Sequence, residues 1–146
     1  MSFPVIAIDG PAASGKSSVA TGLAQRLGFR FVNSGALYRA LTWRALARQV
    51  DLHRPEAIAE FAADVAFQAL LDEAGRLRIR VDEENPETHL RDPVFNLAVS
   101  WIARSPAVRA LVFDQLRALA GTHPLVMEGR DIGTVVFPET PYKFYI

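Results

Sequence analysis

Several short stretches hold residues whose types and spacing could do chemistry. The first is Gly10-Pro11-Ala12-Ala13-Ser14-Gly15-Lys16-Ser17-Ser18, preceded by Val5-Ile6-Ala7-Ile8-Asp9. An apolar strand running into Gly-x-x-x-x-Gly-Lys-Ser, and from there into a helix, is the context of a phosphate-binding loop. In such a loop backbone N–H groups wrap a β-phosphate, and the helix that follows points its positive end at it. Side chains at Gly10 and Gly15 would block close approach and forbid the dihedrals required. Lys16 reaches the β- and γ-phosphates as a point charge, and the Ser17 hydroxyl ligates Mg²⁺. Residues 10–18 therefore predict binding of a nucleoside triphosphate.

A second stretch, Asn33-Ser34-Gly35-Ala36-Leu37-Tyr38-Arg39, follows the short run Phe29-Arg30-Phe31-Val32. Asn33 or Ser34 can cap a helix there, and Arg39 falls in its second turn. A hydroxyl, free N–H groups, Tyr38 and Arg39 at the carboxyl end of a strand would suit a second phosphate. The same residues read equally well as an ordinary N-cap with a solvated arginine. Ser100 and Arg109 are polar positions of a later helical region and are not distinctive by themselves. Glu128-Gly129-Arg130-Asp131-Ile132-Gly133-Thr134 follows Leu125-Val126-Met127, again at a strand's carboxyl end. Arg130 would neutralise phosphate charge. Asp131 or Glu128 would hold a Mg²⁺-bound water or a substrate hydroxyl or amine. A surface salt-bridged turn is the plainer alternative, disfavoured after a strand of a phosphate-loop protein.

The elements that must position these groups are legible as periodicities. Val5 to Ile8 has the uninterrupted apolar character of a parallel strand covered on both faces. A helix starts near Lys16 with Val19, Ala20, Leu23, Ala24 and Leu27 on one face, and Gly28 ends it. Phe29 to Val32 completes a strand–helix–strand unit. The next helix has Leu37, Ala40, Leu41 and Ala45 on its apolar side, and Pro55 opens another to about Asp64. Val65, Phe67, Ala69 and Leu71, then Leu77, Ile79 and Val81, alternate about a Gly-containing turn and predict an antiparallel hairpin. Arg76, Arg78 and Arg80 lie between its apolar positions, but four acids follow within 82–87, so the charged side reads as a solvated face. Asp92-Pro93 predicts a helix carrying Val94, Leu97, Ala98, Trp101 and Ile102, with Trp101 in the core. Ser105-Pro106 predicts another with Val108, Leu111, Val112 and Leu116 inward, ending at Gly121. Tyr142 to Ile146 is a further apolar strand. The fold expected is α/β, a three-layer parallel sheet with helices on both faces and a small antiparallel insert.

The totals bound the class. The chain has 146 residues, half of them apolar and none cysteine, so disulfides, thiolate metal sites and cysteine nucleophiles are excluded. Its three histidines are scattered, which disfavours zinc. There is no 18-residue apolar run and no charged-then-apolar leader pattern, so a soluble cytoplasmic protein is expected. The formal net charge of zero argues against bulk nucleic-acid binding. Residues 1–54 hold six Arg, one Lys and two acids, a balance of +5, and the remainder carries −5. A basic first third fits a phosphate site, although solvated helix faces would give the same count.

Taken together, Ile8-Asp9-Gly10-Pro11 through Ser18, Asn33 through Arg39, Ala98-Val99-Ser100, Pro106-Ala107-Val108-Arg109 and Gly129-Arg130-Asp131-Ile132-Gly133-Thr134-Val135-Val136-Phe137-Pro138 resemble bacterial cytidylate kinases. These belong to the nucleoside monophosphate kinases. The last block is the most specific, because it is no general feature of phosphate loops. The resemblance implies transfer of the ATP γ-phosphate to CMP or dCMP. Mg²⁺ as cofactor and a monomer that binds neither nucleic acid nor membrane are expected with it. The resemblance implies that Lys16, Arg109 and Arg130 are catalytic, that residues 10–18 bind ATP, and that Ser34, Tyr38, Arg39, Ser100, Arg109, Arg130 and Asp131 bind the acceptor. It further implies a single kinase core over 1–146, with 65–92 as a monophosphate-binding insert. The chain has Asn33 and Glu128 where the family commonly has Asp. Similar kinases also continue past the point where this sequence stops, into a mobile lid with arginines, so the C-terminal part of the core is expected to be missing.

An acceptor phosphate is already ionised near neutral pH, so transfer rests on alignment and charge cancellation and needs no general base. That agrees with a candidate set rich in Lys and Arg and without histidine. Two other readings stay open at this level: a kinase for another small acceptor such as shikimate, and a nucleotide-binding module without catalysis. A switch GTPase is disfavoured because no Asn-Lys-x-Asp motif is found.

Overall fold

Val5–Asp9 forms β1, and all five of its residues are buried. The structure, a computed structural model, describes residues 3–146. The elements that follow are α1 (Lys16–Leu27), β2 (Arg30–Asn33), α2 (Ser34–Ala47), α3 (Pro55–Asp64), β3 (Phe67–Leu71) and β4 (Leu77–Val81). Then come α4 (Phe95–Arg104), α5 (Pro106–Ala120), β5 (Leu125–Gly129), a single π-helical turn (Ile132–Val136) and β6 (Tyr142–Tyr145). The fold is α/β: a four-stranded parallel sheet in the order β2-β5-β1-β6, with β3 and β4 as a separate antiparallel pair. The chain divides into two compact units.

The first unit comprises residues up to Gly35, Leu71–Leu77 and Leu116–Ile146, and it holds the parallel sheet. From β1 the chain steps over β5's place to reach β2, and from β5 it steps over β1 to reach β6. Successive connections therefore leave in opposite directions at β1 and β5, where open α/β sheets present a crevice beyond the strands' carboxyl ends. Strand pleat sorts the side chains. Ile6 and Ile8 of β1 and Val126 of β5 pack with Ala20 and Ala24 of α1, joined by Leu23, Phe29 and Phe31. Ala7 faces the opposite way, toward the π-turn: a methyl on Gly133 would stand 3.4 Å from the Ala7 Cβ.

The expected apolar face of α1 is narrower than its periodicity implies. Ala20 and Ala24 are buried, but Val19 and Leu27 are 49% and 47% exposed, since they flank the stripe that meets the sheet. Gly28 ends the helix at φ 69°, as its C′ position predicts. All four residues of β6 are exposed.

The second unit comprises Ala36–Leu70 and Arg78–Gln115. Leu37, Ala40, Leu41 and Ala45 of α2 are fully buried, as are Val108 and Val112 of α5. Three sequence expectations change in α4. The helix starts at Phe95, not at Pro93, because the Asp92 carboxylate accepts the Val94 N–H and forms a turn before the first helical residue. Val94 and Leu97 are 64% and 77% exposed; Ile102 is buried as expected, and Phe95 is buried with it. Trp101 is half-buried rather than core. Its edge meets His53 with ring centroids 4.7 Å apart, and the Arg104 guanidinium lies over its face. The arginines of the hairpin behave as the charge pattern predicts, with Arg78 paired to Glu87 at 2.7 Å.

Asp82 ties this unit together. It sits after β4 at φ 50°, a left-handed conformation that Asp tolerates better than most residues. Its Oδ2 accepts from Arg44 Nε at 2.6 Å and from Arg48 Nη2 at 2.6 Å, and its Oδ1 accepts the Ala66 N–H at 3.0 Å. Arg44 also reaches Glu84, and Arg48 reaches Asp64. Burial pushes the Asp82 carboxyl upward, but the Ala66 N–H and both guanidiniums outweigh it and hold the group below the usual carboxylate range. With the folded-state value lower, the unfolded chain takes up the proton first as acid is added. The contribution is therefore complete above the ordinary carboxylate range and lost as pH falls through the depressed value. Asp82→Asn is expected to cost about 1–3 kcal/mol at neutral pH. The gap from wild type should close in acid, as read by urea denaturation at both pH values.

Candidate active site

The loop after β1 has the backbone of an anion cradle. Ala13 at φ 58° and Gly15 at φ 87° are left-handed with Ser14 between them, an alternation that turns successive N–H groups to one side. α1 begins at Lys16 with no side-chain cap and no acid in its first turn, so its first N–H groups stay available. Lys16 Nζ donates to the Pro11 carbonyl at 3.1 Å, which folds the ammonium back over the loop. The Ser14 hydroxyl is buried without a hydrogen-bond partner, whereas Ser17 and Ser18 are exposed. The Gly10 backbone is closely approached, since a Cβ there would meet the Ile146 carbonyl oxygen at 2.1 Å.

β5 delivers the second cluster beside this loop. The parallel register pairs Ile8 with Glu128 and Asp9 with Gly129, and the Gly10 N–H donates to the Gly129 carbonyl at 3.2 Å. Arg130 and Asp131 follow directly, Arg130 exposed and Asp131 half-buried. Glu128 is 4% exposed, and its Oε2 has no hydrogen-bond partner. Ser34 closes the same corner. Its side chain is buried, and a methyl on Gly129 would stand 2.5 Å from its Oγ. The α2 cap expected of Asn33 or Ser34 comes from Asn33, whose Oδ1 accepts the Gly35 N–H at 2.9 Å.

Residues 10–18, Ser34, Arg130 and Asp131 thus belong to the first unit. Tyr38, Arg39, Ser100 and Arg109 belong to the second. Arg39 is neither a solvated arginine nor an uncommitted one. Its guanidinium donates to the carbonyl of Leu90, to that of Asp92 at 2.8 Å and to Asn96 Oδ1 at 3.0 Å, fastening the segment before α4. The Ser100 hydroxyl donates to the Leu97 carbonyl at 2.7 Å. The Arg109 guanidinium lies 5.0 Å over the Phe113 ring.

Residues 6–146 match the family model described as cytidylate kinase. The chain belongs to the cytidylate kinase family. It is 43% identical over 145 residues to the cytidylate kinase of Pelotomaculum thermopropionicum, covering 99% of this chain and 64% of that protein. The cytidylate kinase of Rhodococcus jostii is 43% identical over 143 residues, covering 97% of this chain and 62% of the relative. A bifunctional pantoate ligase/cytidylate kinase of Gloeobacter violaceus is 39% identical over 145 residues, which are 98% of this chain and 28% of that protein. The chain therefore spans less than two thirds of the length of these relatives. Among the described residues no helix is long and apolar enough to cross a membrane.

One residue of this corner went unassigned in the sequence. Asp9 is buried at the end of β1, and its carboxylate accepts the N–H groups of Ile132 and Gly133. The signal was an acid one residue before the first loop glycine, on the face opposite Ile6 and Ile8. Two glycine substitutions separate steric need from conformational freedom. Gly129→Ala drives a methyl into Ser34 Oγ and Ile132 and should destabilise by about 1–3 kcal/mol. Gly22→Ala, in α1 with nothing within 4 Å, should stabilise by about 0.5–1 kcal/mol. Urea unfolding of the two variants measures both signs.

Proposed function

We propose that this chain transfers the γ-phosphate of ATP to CMP or dCMP. The observation that carries the reading is the adjacency at one sheet edge of a phosphate loop after β1 and Arg130-Asp131 after β5, joined by the Gly10–Gly129 hydrogen bond. Family membership supports the choice of cytidine nucleotides among possible acceptors. In this reading residues 10–18 hold the triphosphate, with Lys16 leaving Pro11 to neutralise the β- and γ-phosphates. Arg130 and Arg109 cancel charge on the acceptor phosphate and the group in flight. Ser34, Tyr38, Arg39, Ser100 and Asp131 hold the rest of the acceptor. The protein works as a monomer in the cytoplasm.

The donor set also fits Mg²⁺. Glu128 offers an unpaired, buried carboxylate oxygen, and Ser17 an exposed hydroxyl at the start of α1. Such an ion keeps several waters and takes phosphate oxygens, so one or two protein ligands suffice. Ser17 would ligate it and Glu128 would hold its water shell, and the ion would screen phosphate charge. Every other task falls to the chain's own cations and N–H groups: binding, alignment and exclusion of competing water.

Incubation with ATP, Mg²⁺ and CMP should yield ADP and CDP. A panel of CMP, UMP, AMP and shikimate should favour CMP. Turnover with shikimate alone would assign another small-molecule kinase, and nucleotide binding without product would assign a non-catalytic module. Lys16→Ala should lower transfer by on the order of 10²–10³ or more while circular dichroism stays native. Unchanged turnover in that variant would sink the assignment. With no general base in the step, kcat should be level above about pH 7, once the acceptor phosphate is fully ionised.

A further inference from the structure

Asp9 is a buried carboxylate without a role in the transfer described above, and it borders a loop built for phosphate. A negative charge there opposes a phosphate, so its presence calls for a physical reason. Two hydrogen bonds supply one. Oδ1 accepts the Ile132 N–H at 2.9 Å and Oδ2 the Gly133 N–H at 2.9 Å, both buried. These N–H groups open the π-turn, whose own bonds begin only at Val135, Val136 and Phe137, donated to Asp131 and Ile132. The opening N–H groups of a helical turn have no partner within it. A carboxylate offers two acceptor oxygens to two donors. An amide would offer one oxygen and turn its NH₂ against the second N–H.

The span between the clamps is short. Gly129 is held by the Gly10 N–H, Ile132 and Gly133 are held by the Asp9 side chain, and only Arg130 and Asp131 lie between. Adjacent residues at the β1–loop junction thus fix both ends of the segment that carries the acceptor-side charges. We propose that Asp9 is a positioning residue that sets where Arg130 and Asp131 stand relative to the phosphate loop. This rests on the reading of Arg130 and Asp131 as acceptor-binding groups. Both oxygens of the carboxylate are engaged by backbone dipoles, so the group serves as a bracket rather than as a ligand or a base.

The test uses the 146-residue chain with Asp9→Asn and Asp9→Glu, each checked by circular dichroism and thermal melting. In Asp9→Asn, amide hydrogen exchange at Ile132 and Gly133 should rise about tenfold or more and spread to Arg130 and Asp131. Val126 and Met127 of β5 should keep wild-type protection. Unchanged exchange at Ile132 and Gly133 overturns the proposal without reference to any ligand. In calorimetric titrations Asp9→Asn should bind CMP about tenfold more weakly, and a non-hydrolysable ATP analogue with Mg²⁺ to within about threefold of wild type. Asp9→Glu keeps the charge and both oxygens but is one methylene longer, so it too should lose CMP affinity. A Glu variant that binds CMP like wild type overturns the proposal, because charge and not placement would then be what matters. Equal losses for both ligands also overturn it and assign Asp9 to general stability. Should Asp9→Asn fail to fold, the Glu variant carries the same exchange and CMP readouts. A wild-type chain that binds the ATP analogue but not CMP refutes the acceptor reading, and hydrogen exchange still decides whether Asp9 is the bracket.

Discussion

The parallel pairing of β1 with β5 is the constraint on which the site depends. Its register runs from Val5 opposite Leu125 to Asp9 opposite Gly129, so both strands end at one level. Parallel strands send their carboxyl ends the same way, and everything that leaves them starts from one edge. The phosphate loop leaves β1 and Arg130-Asp131 leaves β5 within a hydrogen bond of each other. A one-residue slip of β1 against β5 would turn Ile6 and Ile8 away from α1, part them from Val126 and send Asp9 to the wrong face. Packing of those residues with Ala20 and Ala24 therefore fixes the functional register as well as the core.

Much of this was legible because the signals were local. Gly10–Ser18 needs only its own dihedrals and the flanking strand and helix, and α1 and its left-handed Gly28 appear where the pattern puts them. The buried stripe of α2 and the hairpin were readable from periods of 3.6 and 2. What escaped the sequence depends on partners distant along the chain. Val94 and Leu97 are apolar at helical spacing, yet they are exposed, because periodicity gives a stripe's width only once the neighbour is known. Asp9 acts 123 and 124 residues away in sequence, on Ile132 and Gly133, and no local pattern reports such a contact. The Gly-Arg-Asp-Ile-Gly-Thr block carries the family resemblance, but its letters do not indicate the π-turn that begins at Ile132. π-turns have no propensity signature and often mark functional segments.

The charge asymmetry of the sequence has a different meaning in three dimensions. A first third with a balance of +5 fits a phosphate site, but most of those arginines have other work. Arg44, Arg48 and Arg54 pair with Asp82, Glu84, Asp64 and Glu56, all from the acidic remainder of the chain. Arg39 is taken by the Leu90 and Asp92 carbonyls and by Asn96. The surplus is thus largely cancelled by folding. In the proposed function, attraction for phosphate then rests on Lys16, Arg109, Arg130 and the backbone N–H groups rather than on the basic first third. A linear charge count cannot make that distinction, because it ignores which pairs close.

Two buried acids at the same sheet edge show how neighbouring positions are given separate roles. Glu128 pairs with Ile8 in register and so shares the face of α1, while Asp9 pairs with Gly129 and faces the π-turn. Asp9 has both oxygens met by backbone donors, whereas Glu128 keeps Oε2 unpartnered. A carboxylate with a donor on each oxygen is held in place, and its charge is partly met by the dipoles that face it. An unsaturated one in the same low-dielectric setting favours a cation or an ordered water, since leaving it bare costs free energy. A buried anion is tolerated where donors or a cation take up its charge. At this edge the strand pleat sends Asp9 to the two backbone donors and leaves Glu128, on the face of α1, with one carboxylate oxygen unpartnered.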